Sequence, residues 1–304
     1  MAATGFMILE GDNLSNIFPG VVCQIGEYFS IGGKQSFVIM VSLIILPTVW
    51  LKDLSLLSVI SGGGVLATLI LLCSIFWNGA FDGIGFHEKG TLVNWKGIPT
   101  AISLFSLSYC AHPVFSPIYT SMSNRKQYSK VMIVSFFSCT VFYALVAILG
   151  YLMFGSKVLS QITLNLPVNK ISSKVAIYTT LVNPIAKYAL LIMPTVNALE
   201  DKLIPNRTQR SFSIFIRSCL VFSTVIVALA MPFFGEVMSL SGAFVSVTSS
   251  IVLPCLCFLK ISGIYGRFGL EQLLIGGIVL VGILSVLTGT YTSSVEIVRH
   301  YYHF

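Results

Sequence analysis

Residues 103–122 read SLFSLSYCAHPVFSPIYTSM, and this stretch decides how the fold is interpreted. It has the length and the apolar neighbours of a membrane-spanning helix. It also carries His112 and a row of small hydroxyls, followed by Pro113 and Pro117. Proline has no N–H to donate, so each proline disturbs the helical hydrogen-bond ladder. The pattern therefore predicts a helix break inside a bilayer segment, at Pro113 and Pro117.

The composition of the whole chain supports a membrane protein. Of its 304 residues, 55% are hydrophobic and only 10% are charged, and the mean hydropathy is +0.89. Soluble domains carry about 25% charged residues. The net charge of +7 is spread between apolar runs rather than gathered on one face, which argues against a nucleic-acid partner and for a lipid bilayer around the chain.

Apolar runs of bilayer length recur along the chain, and we expect one integral membrane domain over residues 1–304 with about eight full spans. The predicted spans are 35–51, 56–77, 98–121, 131–154, 174–198, 213–234, 237–259 and 271–294. The first residues are too few for a span and read like the last turns of a helix whose beginning is missing. The prediction is an all-α membrane fold with a partial N-terminal helix.

The predicted break has a functional interpretation. Unwound backbone survives in hydrocarbon only where it lines a cavity or is buried in protein, and discontinuous helices are the usual substrate sites of secondary transporters. The candidate substrate-binding residues are Ser106, Ser108, Tyr109, Cys110, Ala111 and His112. The open alternative is a kinked helix whose hydroxyls bond their own backbone.

A second polar group lies in the predicted span 174–198. Lys187 is near its middle, where an ammonium group is costly and cannot easily reach either surface. Asn183 lies one turn back on the same face and Thr180 one turn further, while Pro184 is expected to break the helix and free a carbonyl. These residues are candidates for ion or proton coupling. The alternative is a structural lysine bonded to carbonyl groups of an unwound neighbour.

The sequence offers little to other functional classes. It has no set of metal ligands, no phosphate-binding loop and no nucleophile with a base at a recognisable spacing, so we expect neither an enzyme nor a bound metal or cofactor.

Eight stretches carry a resemblance to a known family. They are ILEGDNLS (8–15), LPTVWLKDLSLLS (46–58), HPVFSPIYTSM (112–122), LGYLMFG (149–155), TLNLP (163–167), VNPIAKYAL (182–190), ALAMPFFGEVM (228–238) and GTYTS (289–293). With these stretches the chain resembles the amino acid/auxin permease family and, within it, the plant vacuolar amino acid transporters. The resemblance extends over nearly the whole chain.

The resemblance implies a LeuT-like, APC-type fold of two inverted repeats. In that family the motif ILEGDNL closes the third of eleven spans. The chain is therefore expected to be N-terminally truncated, without the first two spans and most of the third, so that its first repeat is incomplete. In the broken helix, Ser106 and Ala111 stand where the family pattern has glycines, and added side chains narrow the approach of backbone to a ligand.

The resemblance also implies a function. We expect secondary active transport of neutral amino acids by alternating access, coupled to protons or alternatively to sodium. The expected location is the vacuolar membrane, with the plasma membrane or another endomembrane as alternatives. The competing hypothesis is a truncated membrane protein that does not transport, such as a nutrient sensor, a partner subunit or an incomplete gene product.

Overall fold

The structure, a computed structural model, describes residues 2–21, 23–25, 29–50, 54–88, 90–91, 93–203, 210–231, 233–262 and 269–302. Eleven α-helices lie in these ranges: α1 (Ala2–Ile17), α2 (Gly33–Trp50), α3 (Leu54–Ala80), α4 (Ile98–Ser108), α5 (His112–Ser121), α6 (Tyr128–Phe154), α7 (Ile171–Leu203), α8 (Arg210–Ala230), α9 (Phe234–Ser241), α10 (Leu253–Ile261) and α11 (Leu270–Tyr302). Two short antiparallel strands, β1 (Cys23–Ile25) and β2 (Phe29–Ile31), form a hairpin between α1 and α2.

Within the described residues, seven helical segments are long and apolar enough to cross a bilayer. They are Gly33–Trp50, Gly62–Ala80, Arg125–Lys157, Ile171–Leu203, Ser211–Ala230, Phe234–Ile261 and Leu270–His300. Large apolar side chains on them face outward; Phe137 is 70% exposed and Val281 is 62% exposed. Such surfaces are stable in lipid and unstable in water. The predicted all-α membrane fold is confirmed.

The third predicted span, 98–121, is not one helix. It is divided into α4 and α5, with residues 109–111 outside either helix. The other predicted spans each coincide with helical segments, and α7 extends beyond its prediction at both ends. Leu51 and Pro232, which fall inside predicted spans, lie outside the described residues.

The chain forms two compact units. The first, which we call the α7 unit, contains residues 2–91 and 133–232. In it α3 packs along α7, and α1 packs against α2, α7 and α8. Gly11 allows the close approach of α1 to α2, because a Cβ at this position would lie 2.6 Å from Val38 Cγ2 and 3.2 Å from the Lys34 carbonyl oxygen.

A buried ion pair fastens three helices of the α7 unit. The side chain of Arg217 on α8 is 3% exposed, and its Nε donates to Glu200 Oε1 of α7 at 3.1 Å. Its Nη1 donates to the Val49 carbonyl oxygen of α2 at 2.8 Å. Ser213 donates to the same Glu200 oxygen. The guanidinium charge is thus compensated by one carboxylate and by a helix-end carbonyl.

The second unit, which we call the α4 unit, contains residues 92–132 and 233–304. Its helix α4 packs against α9, α11 and Gly242–Ser246. Gly242–Ser246 and Thr248–Val252 form a π-helical stretch that joins α9 to α10. Gly242 and Gly289 make this packing possible, because a Cβ on either would overlap Ser103 of α4.

Candidate functional site

The break in the α4 unit lies just before the prolines rather than at them. Helix α4 ends at Ser108, and Tyr109 leaves it with φ −98° and ψ 2°. Helix α5 starts at His112 and its N-cap, Ala111, provides no side-chain cap. Pro113 lies in the first turn of α5, where a missing N–H costs nothing, and Pro117 lies inside α5. The predicted break is present, but its predicted position at Pro113 and Pro117 is wrong.

The break ends one helical hydrogen-bond ladder before another begins. The Tyr109 N–H donates to the Phe105 carbonyl at 3.1 Å and the Cys110 N–H donates to the Leu107 carbonyl at 3.2 Å, so the ladder of α4 closes at these residues and does not continue into α5. The N-terminus of α5 favours an anionic group and the C-terminus of α4 favours a cationic one. An α-amino acid carries one group of each kind, so a helix break of this form has the polarity to bind both of its ends.

The predicted side chains around the break differ in the partners that they contact. Ser106 and Ser108 donate to the carbonyls of Ile102 and Leu104 in their own helix, at 2.8 and 2.9 Å, as the kinked-helix alternative expects. His112 is exposed, and its ring lies 5.0 Å from that of Phe115.

Cys110, inside the break, has partners from a distant part of the α4 unit. Ser250 Oγ donates to Cys110 Sγ at 3.2 Å, and Ser249 Oγ lies 3.7 Å from the same sulfur. Both serines belong to the π-helical stretch, a geometry that often marks functional sites. Pro254 has no N–H, so the Ser250 carbonyl cannot accept an α-helical i+4 hydrogen bond. Sequence reasoning missed this contact, for which the run of hydroxyls at 246–250 was the available signal.

Lys187 lies about midway along α7, as the sequence predicts, and faces α3. Gly64 of α3 leaves room for it: a Cβ at Gly64 would lie 2.9 Å from Lys187 Cε, 3.4 Å from its Nζ and 3.2 Å from Asn183 Oδ1. Thr68 Oγ1 accepts a long hydrogen bond from Asn183 Nδ2, at 3.5 Å. The structure therefore brings Lys187 and Asn183 together and adds Gly64 and Thr68, which sequence reasoning missed. The SGGG run at 61–64 was the available signal.

This group of residues is incompletely bonded. Asn183 Oδ1 is buried and has no hydrogen-bond partner among the described residues. Thr180 Oγ1 donates to the Ala176 carbonyl at 2.9 Å. Helix α7 continues through Pro184, so the break predicted there is wrong, although the Thr180 carbonyl still has no N–H donor four residues on. An amide oxygen and a carbonyl oxygen without donors, beside a lysine, can accept a proton donor or a small cation.

Comparison with known proteins places the chain in a family. The profile for transmembrane amino acid transporter proteins matches residues 1–295. The chain belongs to this family. It is similar to amino acid transporter AVT1I of Arabidopsis thaliana, with 51% identity over 300 residues that cover 98% of this chain and 74% of that protein.

Two further relatives show how wide the similarity is. Amino acid transporter AVT1J of Arabidopsis thaliana is 53% identical over 302 residues, which cover 98% of this chain and 70% of that protein. The vesicular GABA transporter of Caenorhabditis elegans is 26% identical over 311 residues, which cover 97% of this chain and 61% of that protein.

The comparisons correct one expectation. We expected a chain N-terminally truncated relative to its family, but the family match begins at residue 1 and the plant relatives align over 98% of the chain. The resemblance to the amino acid/auxin permease family is confirmed. The roles predicted for individual residues remain predictions.

Proposed function

We propose that this member of the family carries neutral amino acids across a membrane by proton-coupled alternating access, and that the helix break at residues 109–111 binds the substrate. The break is the observation that carries the proposal, because discontinuous helices are the usual substrate sites of secondary transporters. Relatives named amino acid transporters, at up to 53% identity, support the substrate class.

In the proposed mechanism, the α-carboxylate of the substrate meets the N-terminal N–H groups of α5. The α-amino group meets the C-terminal end of α4, where the helix dipole favours a positive charge. Tyr109, Cys110 and Ala111 set the width of this site, and His112, at the first turn of α5, is placed to contact the substrate. Ser106 and Ala111 stand where the family pattern has glycines, and their added side chains narrow the site. A narrower site suits amino acid substrates with small neutral side chains.

Coupling is proposed for the polar group on α7. Lys187 supplies a positive charge where a bound cation would otherwise sit, and Asn183 and Thr180 offer oxygen atoms beside it. When this group gains or loses a proton, the charge buried beside α7 changes. The two protonation states then favour different conformations. Sodium is the alternative ion. The vacuolar membrane is the proposed location, from the resemblance to plant vacuolar transporters.

The test is uptake of radiolabelled amino acids into proteoliposomes containing the purified protein. His112→Ala and Lys187→Ala are expected to abolish uptake of the preferred substrate. Two matched controls remove the same side chains elsewhere: His87→Ala, from an exposed loop, and Lys174→Ala, from an exposed position on α7 itself. Both controls should transport like the wild type. Uptake by His112→Ala at the wild-type rate would remove that residue from the site, and the same holds for Lys187→Ala.

A further inference from the structure

A buried carboxyl on α1 has no role in the mechanism described so far. Glu10 is 0% exposed, and neither of its side-chain oxygens has a hydrogen-bond partner among the described residues. An ionised carboxylate in such a place would cost several kcal/mol, because no donor or opposite charge replaces water. In this conformation the carboxyl therefore holds a proton. Helix α1 is not one of the seven candidate spans. Burial raises the pKa of Glu10 to about 9.

Among the side chains that the structure describes, the elements packed around α1 supply no counter-charge to Glu10. Helix α1 contacts α2, α7, α8 and the short turn Ile162–Asn165. Their charged or titratable groups are Lys34 on α2, Lys174, Tyr178, Lys187, Tyr188, Glu200, Asp201 and Lys202 on α7, and Arg210, Arg217 and Cys219 on α8. Lys34 pairs with Asp12 and Arg217 pairs with Glu200. Of these groups, those whose side chains the structure describes, which leaves out Arg210, form no ion pair or hydrogen bond with Glu10.

A line of polar side chains leads from the surface toward Glu10. Lys34 Nζ, whose side chain is 32% exposed, lies 2.5 Å from Asp12 Oδ1. Gln161 Nε2 donates to Asp12 Oδ2 at 2.9 Å, and Asn13 Nδ2 donates to Gln161 Oε1 at 3.0 Å. Asn13 is fully buried and stands one helical turn from Glu10, on the same face of α1. The polar line thus ends one helical turn from the Glu10 carboxyl group.

We propose that Glu10 is a second proton-carrying group of the transport cycle, in addition to the Lys187 group on α7. The proposal rests on the proposed function above and adds a group to its coupling step. The chemistry is a reversible protonation: the O–H bond of the acid breaks when water reaches Glu10 in another conformation, the proton passes to that water, and the bond re-forms on return. No redox step is involved. Asp12 and Lys34 lie at the solvent end of the polar line, because their side chains are partly exposed.

The experiment separates proton coupling from amino acid movement. Proteoliposomes with the wild-type chain or with Glu10→Gln are tested for accumulation driven by a pH gradient and for counterflow at equal pH on both sides. Glutamine has the shape of a protonated glutamic acid but cannot exchange its proton. We expect Glu10→Gln to lose gradient-driven accumulation and to retain counterflow. Glu10→Asp should recover part of the accumulation, and Glu88→Gln, in an exposed pair with Lys157, should behave as the wild type.

Each result distinguishes between the two proposals. A wild type without counterflow of any amino acid overturns the proposed function. A wild type with counterflow but no accumulation under a pH gradient overturns proton coupling, and the role of Glu10 with it. Wild-type accumulation by Glu10→Gln overturns the role of Glu10 alone. Loss of counterflow in Glu10→Gln also overturns it, because a mimic of the protonated acid should leave amino acid exchange intact.

A second measurement does not depend on transport. Between the ordinary pKa of a glutamic acid and the raised pKa of Glu10, the unfolded chain releases a proton that the folded chain keeps. The stability that this proton confers is complete at low pH and is lost as the pH rises through that interval. The melting temperature of Glu10→Gln should lack this fall. Identical pH profiles for the two proteins would show that Glu10 holds no proton and would overturn the proposal.

Discussion

Replacing Glu200 by glutamine tests whether the buried guanidinium of Arg217 needs its carboxylate. The substitution keeps the shape of the side chain and removes only its negative charge. Arg217 would remain 3% exposed, with the Val49 carbonyl at 2.8 Å and a neutral amide oxygen in place of the carboxylate at 3.1 Å. An uncompensated charge would then lie between α2, α7 and α8.

The size of the effect can be worked from these contacts. Removing one partner of a buried ion pair costs about 3–5 kcal/mol. The Glu200 side chain is 18% exposed and the amide can still accept a hydrogen bond, so we expect the lower part of this range, about 3 kcal/mol. For a domain of roughly 200 residues, 1 kcal/mol shifts the melting temperature by about 2–4 °C. The expected decrease for Glu200→Gln is therefore about 6–12 °C.

The assay is thermal unfolding of the detergent-purified protein, with Glu88→Gln as the matched control. Glu88 makes the same type of pair with Lys157, but at 3.9 Å and with side chains 47% and 82% exposed. Exposed pairs contribute about 0–1 kcal/mol, so the control should melt close to the wild type. The double variant Glu200→Gln/Arg217→Met buries neither charge and should recover part of the loss.

Two results would refute this reasoning. One is a melting temperature for Glu200→Gln as close to the wild type as that of Glu88→Gln, which would mean that water or another anion compensates Arg217. The other is additive behaviour of the double variant, since residues in direct contact should show an interaction energy of about 0.5–3 kcal/mol.

The remaining predictions concern glycines that admit a neighbour. Gly64→Ala should reduce amino acid uptake with little change in melting temperature. The added methyl would lie 2.9 Å from Lys187 Cε and would displace the flexible end of this side chain. Uptake at the wild-type rate would show that transport does not depend on where the Lys187 ammonium lies. Gly63→Ala, with nothing within 4 Å of its Cβ, gains the same helix propensity of about 1 kcal/mol and should transport normally. Gly242→Ala should lower the melting temperature, since its Cβ would overlap the Ser103 carbonyl, which is backbone and cannot turn away; an unchanged melting temperature would contradict that packing.

Much of the fold could be predicted from hydropathy, because a bilayer imposes both the length and the helical state of each span. The position of the helix break could not. Proline is compatible with the first turn of a helix, so Pro113 begins α5 instead of ending α4, and the interruption falls on residues 109–111. Pro184 removes one hydrogen bond and no more, and α7 continues through it.

The candidate sites were predicted in part for a similar reason. The cost of an ammonium group at mid-span singles out Lys187 from composition alone. Its neighbours Gly64 and Thr68, and the contact of Cys110 with Ser250, join residues more than a hundred positions apart in the chain. Such contacts depend on how helices pack, which a single sequence does not reveal. Glu10 lies within the motif ILEGDNL, but the sequence does not show that its carboxyl group lacks a hydrogen-bond partner among the described residues.

The π-helical stretch between α9 and α10 stores one surplus residue in each of its wide turns. If such a turn tightens to the α form, everything after it rotates by about 100° and advances by about 1.5 Å. Ser249 and Ser250 would then swing away from the Cys110 sulfur, and the broken helix would lose its tether without any helix having to unfold. A one-residue change of register in the π-helical stretch would therefore break the hydrogen bond that links this stretch to the broken helix.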